Sequence, residues 1–244
     1  MSILSPKWSA PKNINVVSTT RVGGVSKAPF TSFNLGDHVG DNSNDVVLNR
    51  EKLITLAQLP TAPTWLSQIH STMVITLPIS SEEINPPLVD ASYTNQPNQV
   101  CCVMTADCLP VVICNREGTE VAAAHAGWRG LLDGILENTV KHFSSNDLIA
   151  WCGPAIGPTA FEVGDEVKQL FCEKDPQAIN AFTPSHNSNK WFANLNLLAT
   201  QRLQSVGVQD IYYSNLCTYS NTDQFFSYRK EGSTGRQATL IWFE

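Results

Sequence analysis

Three side chains able to hold a metal or attack an electrophile stand at breaks between apolar runs. Cys108 lies in Thr105-Ala106-Asp107-Cys108-Leu109-Pro110, and His125 opens His125-Ala126-Gly127-Trp128-Arg129-Gly130 directly after Val121-Ala122-Ala123-Ala124. His70 ends Trp65-Leu66-Ser67-Gln68-Ile69-His70. Taken singly, a thiol is most often a small buried hydrophobe and a histidine at a strand end most often structural. The carboxylate before Cys108, the proline two residues after it and the small residues around His125 favour a chemical role. As a set, two imidazoles and a thiolate suit Zn²⁺ with a fourth position left for water, the pattern of catalytic zinc. The same residues permit a rival, with Cys108 as nucleophile, His125 as its base and Asp90 or Asp107 as the orienting acid. A zinc-bound thiolate alkylates poorly, whereas a free nucleophilic one reacts fast. A binding module with structural zinc is a third reading.

These residues need elements to hold them. Alternation or short β-rich runs predict strands at 15–19, 64–69, 72–76, 100–105, 110–114, 120–125, 148–152, 210–213 and 238–243. Helical spacing marks 44–57, 128–143, 165–173 and 192–206, with Leu131, Leu132, Ile135, Leu136 and Val140 forming a buried face in the second. The connections between 100–105, 110–114 and 120–125 are too short for helical crossovers, which predicts an antiparallel meander. In that arrangement Cys108 and His125 fall on one sheet edge, their backbones within roughly 10 Å. The helix expected from Trp128 starts at the same edge, bringing Arg129 and unpaired backbone N–H groups towards any bound anion. Strands and helices mix without strict alternation. The expected fold is therefore α+β, a single domain over 1–244 with a mixed, largely antiparallel sheet flanked by helices.

Composition removes several function classes. The chain has 244 residues and a formal net charge of −6, which argues against a nucleic-acid backbone as main partner. Charged residues make up only 16%, against about 25% in average proteins, and 42% are apolar, so charge-driven disorder is excluded. Seven cysteines with no C-x-x-C spacing indicate a reducing compartment, and Cys101, Cys102, Cys114 and Cys152 read as core. The first residues lack a secretory signal pattern, and no window approaches the roughly 18 apolar residues of a spanning helix. A cytoplasmic monomer with no membrane partner is expected. The polar stretches at 80–87 and 183–190 read as loops. No G-x-G-x-x-G, P-loop or H-E-x-x-H is present. A blue-copper centre takes two His and one Cys, and five histidines cannot also supply a three-copper cluster, which excludes a conventional laccase.

Other punctuated segments read as loops of an active site. They are Asn34-Leu35-Gly36-Asp37, Asn49-Arg50, Val89-Asp90-Ala91, Gly153-Pro154-Ala155-Ile156-Gly157-Pro158 and Ser227-Tyr228-Arg229. With Thr20-Arg21, Gln68-Ile69-His70, Phe161-Glu162-Val163-Gly164 and Gly235-Arg236, and above all the ordered pair Ala106-Asp107-Cys108-Leu109-Pro110 and His125-Ala126-Gly127-Trp128-Arg129-Gly130, the chain resembles the YfiH, or laccase-domain, family over nearly its whole length. It departs from many members at Ala155, where they have Cys, and at Phe161, where they have Tyr.

The resemblance implies zinc on His70, Cys108 and His125. It also implies a purine nucleoside enzyme: phosphorolysis of adenosine, inosine, guanosine and methylthioadenosine, and deamination of adenosine. Within that reading Asp107 is expected to carry protons, and Arg129 with the helix N-terminus to hold phosphate. Arg50 and Asn34 are further candidates for substrate or phosphate. Relatives have also been linked to editing of peptidoglycan precursors, and the alternative is a cysteine amidase or hydrolase of such precursors using Cys108 and His125.

Overall fold

The structure is a computed structural model that describes residues 2–79 and 87–244. The loop expected at 80–87 lies outside the described residues except for Pro87. In chain order the elements begin with β1 (Ile3–Leu4), β2 (Ile14–Thr19), α1 (Ser43–Ala57), β3 (Val74–Thr76), β4 (Ala91–Thr94), β5 (Cys101–Thr105), β6 (Leu109–Asn115) and β7 (Val121–Ala126). There follow α2 (Trp128–Asp133), α3 (Ile135–Val140), β8 (Leu148–Cys152), β9 (Glu162–Gly164) and α4 (Asp165–Lys174). The chain ends through β10 (Phe182–Pro184), β11 (Lys190–Ala193), α5 (Leu195–Ser205), β12 (Asp210–Tyr213), α6 (Tyr228–Glu231) and β13 (Gln237–Phe243).

Two sheets face each other across one core. A six-stranded sheet has the order β12-β8-β6-β7-β4-β3, and a four-stranded sheet the order β1-β2-β13-β5. The alternation of side chains along each strand builds the layers. Val112 and Cys114 of β6 pack against Cys101 and Val103 of β5 and Ile241 and Phe243 of β13, between the sheets. Val111 and Ile113 point the other way, onto Leu131, Ile135, Phe171 and Leu198 of the helices. On the far side, Cys102, Met104, Leu240 and Trp242 pack under Leu53 of α1. The mixed α+β architecture is as expected, with the order helix, sheet, sheet, helices. A small sheet, β10-β11-β9, sits beside it. No helix among the described residues is long and apolar enough to cross a membrane.

The meander is only half right. β6 and β7 form the antiparallel hairpin, but β5 pairs with β13, from Gln237 opposite Thr105 to Ile241 opposite Cys101. Both faces of β5 are buried, so its pattern cannot choose a partner, and the C-terminal strand, distant in sequence, takes the place. The chain therefore steps from one sheet to the other at Ala106–Cys108, with Asp107 at φ 93°. The helix expected at 128–143 is broken at Gly134, whose φ of 107° suits glycine and separates α2 from α3. The helix expected from 192 starts at Leu195, because Asn194 caps it by accepting from the Leu197 N–H, and the preceding residues form β11. The stretch 183–190 falls on the β10–β11 hairpin. Residues 64–69 form no strand. The Gln68 side chain instead donates to the Met104 carbonyl and accepts from the Met104 N–H, both at 2.7 Å, docking the segment on β5.

Candidate metal centre

The β6–β7 hairpin, the half of the meander that holds, sets Cys108 beside His125. Leu109 faces Ala126 and Pro110 faces His125 across the β6–β7 hairpin, so Cys108, at the mouth of β6, adjoins the end of β7 directly. His70 arrives from the segment docked by Gln68, in a left-handed turn at φ 60°. One donor atom each from His70, Cys108 and His125 lies within 4.8 Å of the others. The two imidazoles meet edge to face, 4.8 Å between centroids. Gly127 makes this possible, since a Cβ there would stand 2.6 Å from His70 Nδ1 and 3.2 Å from Cys108 Sγ.

Behind the donors lies Asp90, fully buried. Its Oδ1 accepts from His125 Nδ1 at 2.8 Å and from the His70 N–H at 3.0 Å. Its Oδ2 accepts from the Ile69 N–H at 3.2 Å, the Ser71 N–H at 2.6 Å and the Ser71 hydroxyl at 2.8 Å. Burial would raise this carboxyl, but the donors from His125 and Ser71 hold it below the usual carboxylate range. Burial would likewise push His125 down, yet Cys108 and Asp90 raise its imidazole to about 9. His70 moves the opposite way, lowered by burial and by its neighbours His125 and Arg129 against the pull of Asp90.

The donors open into a cleft of about 520 Å³ whose wall carries three guanidinium groups, Arg129, Arg229 and Arg236. Among the described residues none of the three has a carboxylate within ion-pair distance. Arg129 lies over the Trp128 ring at 4.3 Å. Arg229 donates to the Glu162 carbonyl, and Arg236 to the carbonyls of Thr234 and Gly235. These acceptors are neutral, so the cleft wall presents three guanidinium groups beside one carboxylate, Asp107, in a chain of net charge −6, an arrangement suited to an anion. A second cavity, about 420 Å³, shares Ile156 with the cleft but has no charged lining residue and none of the three donors.

Asp107 also lines the cleft, but both its oxygens are engaged at 2.6 Å, Oδ1 by the Thr218 hydroxyl and Oδ2 by the Arg229 N–H. Asn34 and Arg50 do not line it. Asn34 is buried, and its Oδ1 accepts from the Gly36 and Arg236 N–H groups. Arg50 donates to the Leu35 carbonyl, lies 3.3 Å from Asp37 and covers the Trp65 ring. Both brace the segment behind Arg236. Sequence reasoning assigned no role to Arg229 or Arg236. Their motifs were visible as Ser227-Tyr228-Arg229 and Gly235-Arg236, but nothing in their spacing ties them to Cys108, over a hundred residues earlier.

The donor set of two imidazoles and a thiolate, with its remaining side open to the cleft, fits one tetrahedral metal ion. It is the one such group of three or more potential ligands among the described residues, and of the other histidines only His38 reaches the cleft. All seven cysteines are free. Burial pushes the thiols of Cys101, Cys114 and Cys152 up to about 12, as expected of inert core.

Known proteins share this frame. A purine nucleoside phosphorylase of Haemophilus influenzae is 53% identical, the alignment covering 100% of both chains. Purine nucleoside phosphorylase YfiH of Escherichia coli is 50% identical over 98% of each. The crystal structure of Neisseria meningitidis protein NMB0706 superposes with a TM-score of 0.93 at 44% identity, covering 100% of both chains. That of the Bacillus licheniformis hypothetical protein YfiH gives 0.85 at 29%, over 95% of this chain and 93% of that one. With residues 15–244 matching the family model described as multi-copper polyphenol oxidoreductase laccase, and with YfiH proteins among its relatives, the chain belongs to this laccase-like YfiH family.

Proposed function

We propose that this chain is a zinc-dependent purine nucleoside phosphorylase that also deaminates adenosine. The observation that carries the reading is the convergence of three carboxylate-free guanidinium groups on the cleft that holds His70, Cys108 and His125. The names of its relatives point to the same reaction. Adenosine, inosine, guanosine and methylthioadenosine are the proposed substrates with phosphate, acted on by a cytoplasmic monomer.

Zinc held by the trio would supply Lewis acidity at the cleft floor. Arg129, Arg229 and Arg236 bind the phosphate dianion and hold it towards the anomeric carbon, where displacement releases the purine. Arg229 and Arg236 replace Arg50 as the partners of Arg129, because Arg50 stands outside the lining. Asp107 carries the proton to or from the base. Its hydrogen bonds from Thr218 and Arg229 use one lone pair on each oxygen and fix where the other points. For adenosine deamination the same carboxylate serves the departing amine.

The order Cys108, His125, Asp90 also matches a thiol nucleophile, its base and an orienting acid, which is the amidase alternative. His70 is surplus to such a triad and integral to a metal site. Incubation of purified protein with adenosine, with and without phosphate, decides the matter. Phosphate-dependent adenine and ribose 1-phosphate, together with phosphate-independent inosine, are expected. No turnover of any nucleoside, with rapid iodoacetamide labelling of Cys108 and cleavage of a peptide precursor, would establish the alternative instead.

A further inference from the structure

We infer that Asp90 is the positioning residue of the metal centre, setting both histidines at once. One carboxylate joins two elements: the end of β7, through His125, and the turn 69–71, through three consecutive N–H groups and the Ser71 hydroxyl. The two halves of the effect are separable in physical terms.

On the β7 side, a carboxylate only accepts, so the 2.8 Å contact places a proton on His125 Nδ1 and leaves Nε2 as the atom that faces Cys108 and His70. The His125 backbone N–H also donates to the Asp90 carbonyl at 2.8 Å, so the residue is tied to Asp90 through both its backbone and its ring. On the other side, three adjacent N–H groups converge on one carboxylate, and the middle residue, His70, is in a left-handed conformation at φ 60°. Such a conformation is unfavourable for a residue with a Cβ. The buried charge of Asp90 supplies what sustains it, since in this turn the N–H groups converge on a full negative charge. The backbone position of His70 thus follows from the acceptor on Asp90, while its imidazole, in an exposed residue, meets the His125 ring.

An Asp90→Asn substitution preserves shape and alters both halves. If the amide oxygen stays with the turn, the NH₂ group meets His125 Nδ1 and drives the proton to Nε2, the atom needed for the metal. That orientation also sets the NH₂ group against the His70 N–H, which shares Oδ1 with His125. If the amide is reversed, the NH₂ group opposes the Ile69 and Ser71 N–H groups on either side of His70, and the turn that presents His70 is loosened. In either orientation one histidine is misplaced.

The inference rests on the metal reading of the trio, and the test separates the two. Zinc affinity is measured by chelator competition for the wild-type protein and for Asp90→Asn, with thermal unfolding and circular dichroism of each metal-free protein. Bound Co²⁺ serves as the spectroscopic probe of the thiolate and imidazole donors. The expected result is a folded variant binding zinc about 10–100-fold more weakly, with an altered cobalt spectrum. A folded Asp90→Asn protein with wild-type zinc affinity and cobalt spectrum overturns the role of Asp90. Wild-type protein that takes up neither metal overturns the metal reading itself, and this inference with it. Should Asp90→Asn not fold, Ser71→Ala removes a single donor to Oδ2. A measurable weakening of zinc binding by the folded Ser71→Ala protein then supports the inference, and unchanged binding overturns it.

Discussion

At the residue scale, charge without a partner is the informative feature. Arg50 and Arg236 are both arginines of motif segments, yet the first lies within ion-pair distance of Asp37 while the second donates hydrogen bonds to backbone carbonyls and has no carboxylate that close. Burial lowers the Arg236 guanidinium from its ordinary value, with Cys108 and Asp107 nearby opposing the shift. Charge-assisted hydrogen bonds are worth about 1.5–3 kcal/mol, or about 10–100-fold in an equilibrium constant. Arg236→Met should therefore raise KM for phosphate by about that factor and change KM for the nucleoside little. Arg50→Met should act mainly on stability. Steady-state kinetics varying phosphate at saturating inosine, with unfolding curves for both variants, checks the contrast, and equal effects on KM would refute the assignment. The trio itself was legible because its chemistry is carried by residue type: a thiol and two imidazoles at element ends. Arg229 and Arg236 were not, because an arginine's role depends on what surrounds it, and their surroundings come from Asp107, Glu162 and Asn34, distant in sequence.

At the element scale, β6–β7 and α2 form the frame of the site. Short apolar runs with a tight connection made the hairpin readable. The place of β5 was not, because Cys101 to Thr105 is buried on both faces and offers no polar side to orient it. Likewise the apolar spacing of 128–143 runs through Gly134 without showing the break, since periodicity records the buried face and not the backbone angle. α2 carries Arg129 and continues from Gly127, and its anchor is Leu131, which is wholly buried against the sheet. Leu131→Ala should destabilise the fold by about 2–5 kcal/mol. As the helix loosens, the backbone at Gly127, which closes over the His70 and Cys108 side chains, should shift and the donor set lose its geometry. Denaturant unfolding and metal stoichiometry on the same samples test this, and a loss of stability under about 1 kcal/mol would show that the helix is held elsewhere.

At the scale of the whole molecule, two facing sheets with helices outside were foreseen only as a mixed α+β fold. Period-two alternation says that a strand has two faces but not how many layers stack on them. The second strand, β2, and the last, β13, pair in the centre of the four-stranded sheet, a contact that no local pattern announces. Away from the site, Glu120 ties the β6–β7 hairpin to the segment after α3. Its carboxylate accepts from the Tyr93 hydroxyl at 2.5 Å, the Ser144 N–H at 2.9 Å and Asn115 Nδ2 at 3.0 Å. Burial would raise it, but the donors from Tyr93, Ser144 and Ser145 hold its pKa below the ordinary glutamate value. A lowered folded-state pKa adds stability that is complete above the unfolded-state value of about 4.3 and is lost as pH falls through the folded-state value. Metal-free protein should thus lose this stability as pH falls below about 4.3, and Glu120→Gln should be less stable at neutral pH with a shallower acid limb. Parallel acid limbs for the two proteins, from thermal unfolding between pH 3 and 7, would contradict this role.

The central claim is that His70, Cys108 and His125 hold the zinc on which phosphorolysis depends. Its most direct test is metal content and phosphate-dependent release of hypoxanthine from inosine, measured on the same wild-type and Cys108→Ala preparations. The account predicts about one zinc per wild-type chain with turnover, and neither zinc nor turnover in the variant. Phosphorolysis retained by metal-depleted Cys108→Ala protein would contradict it.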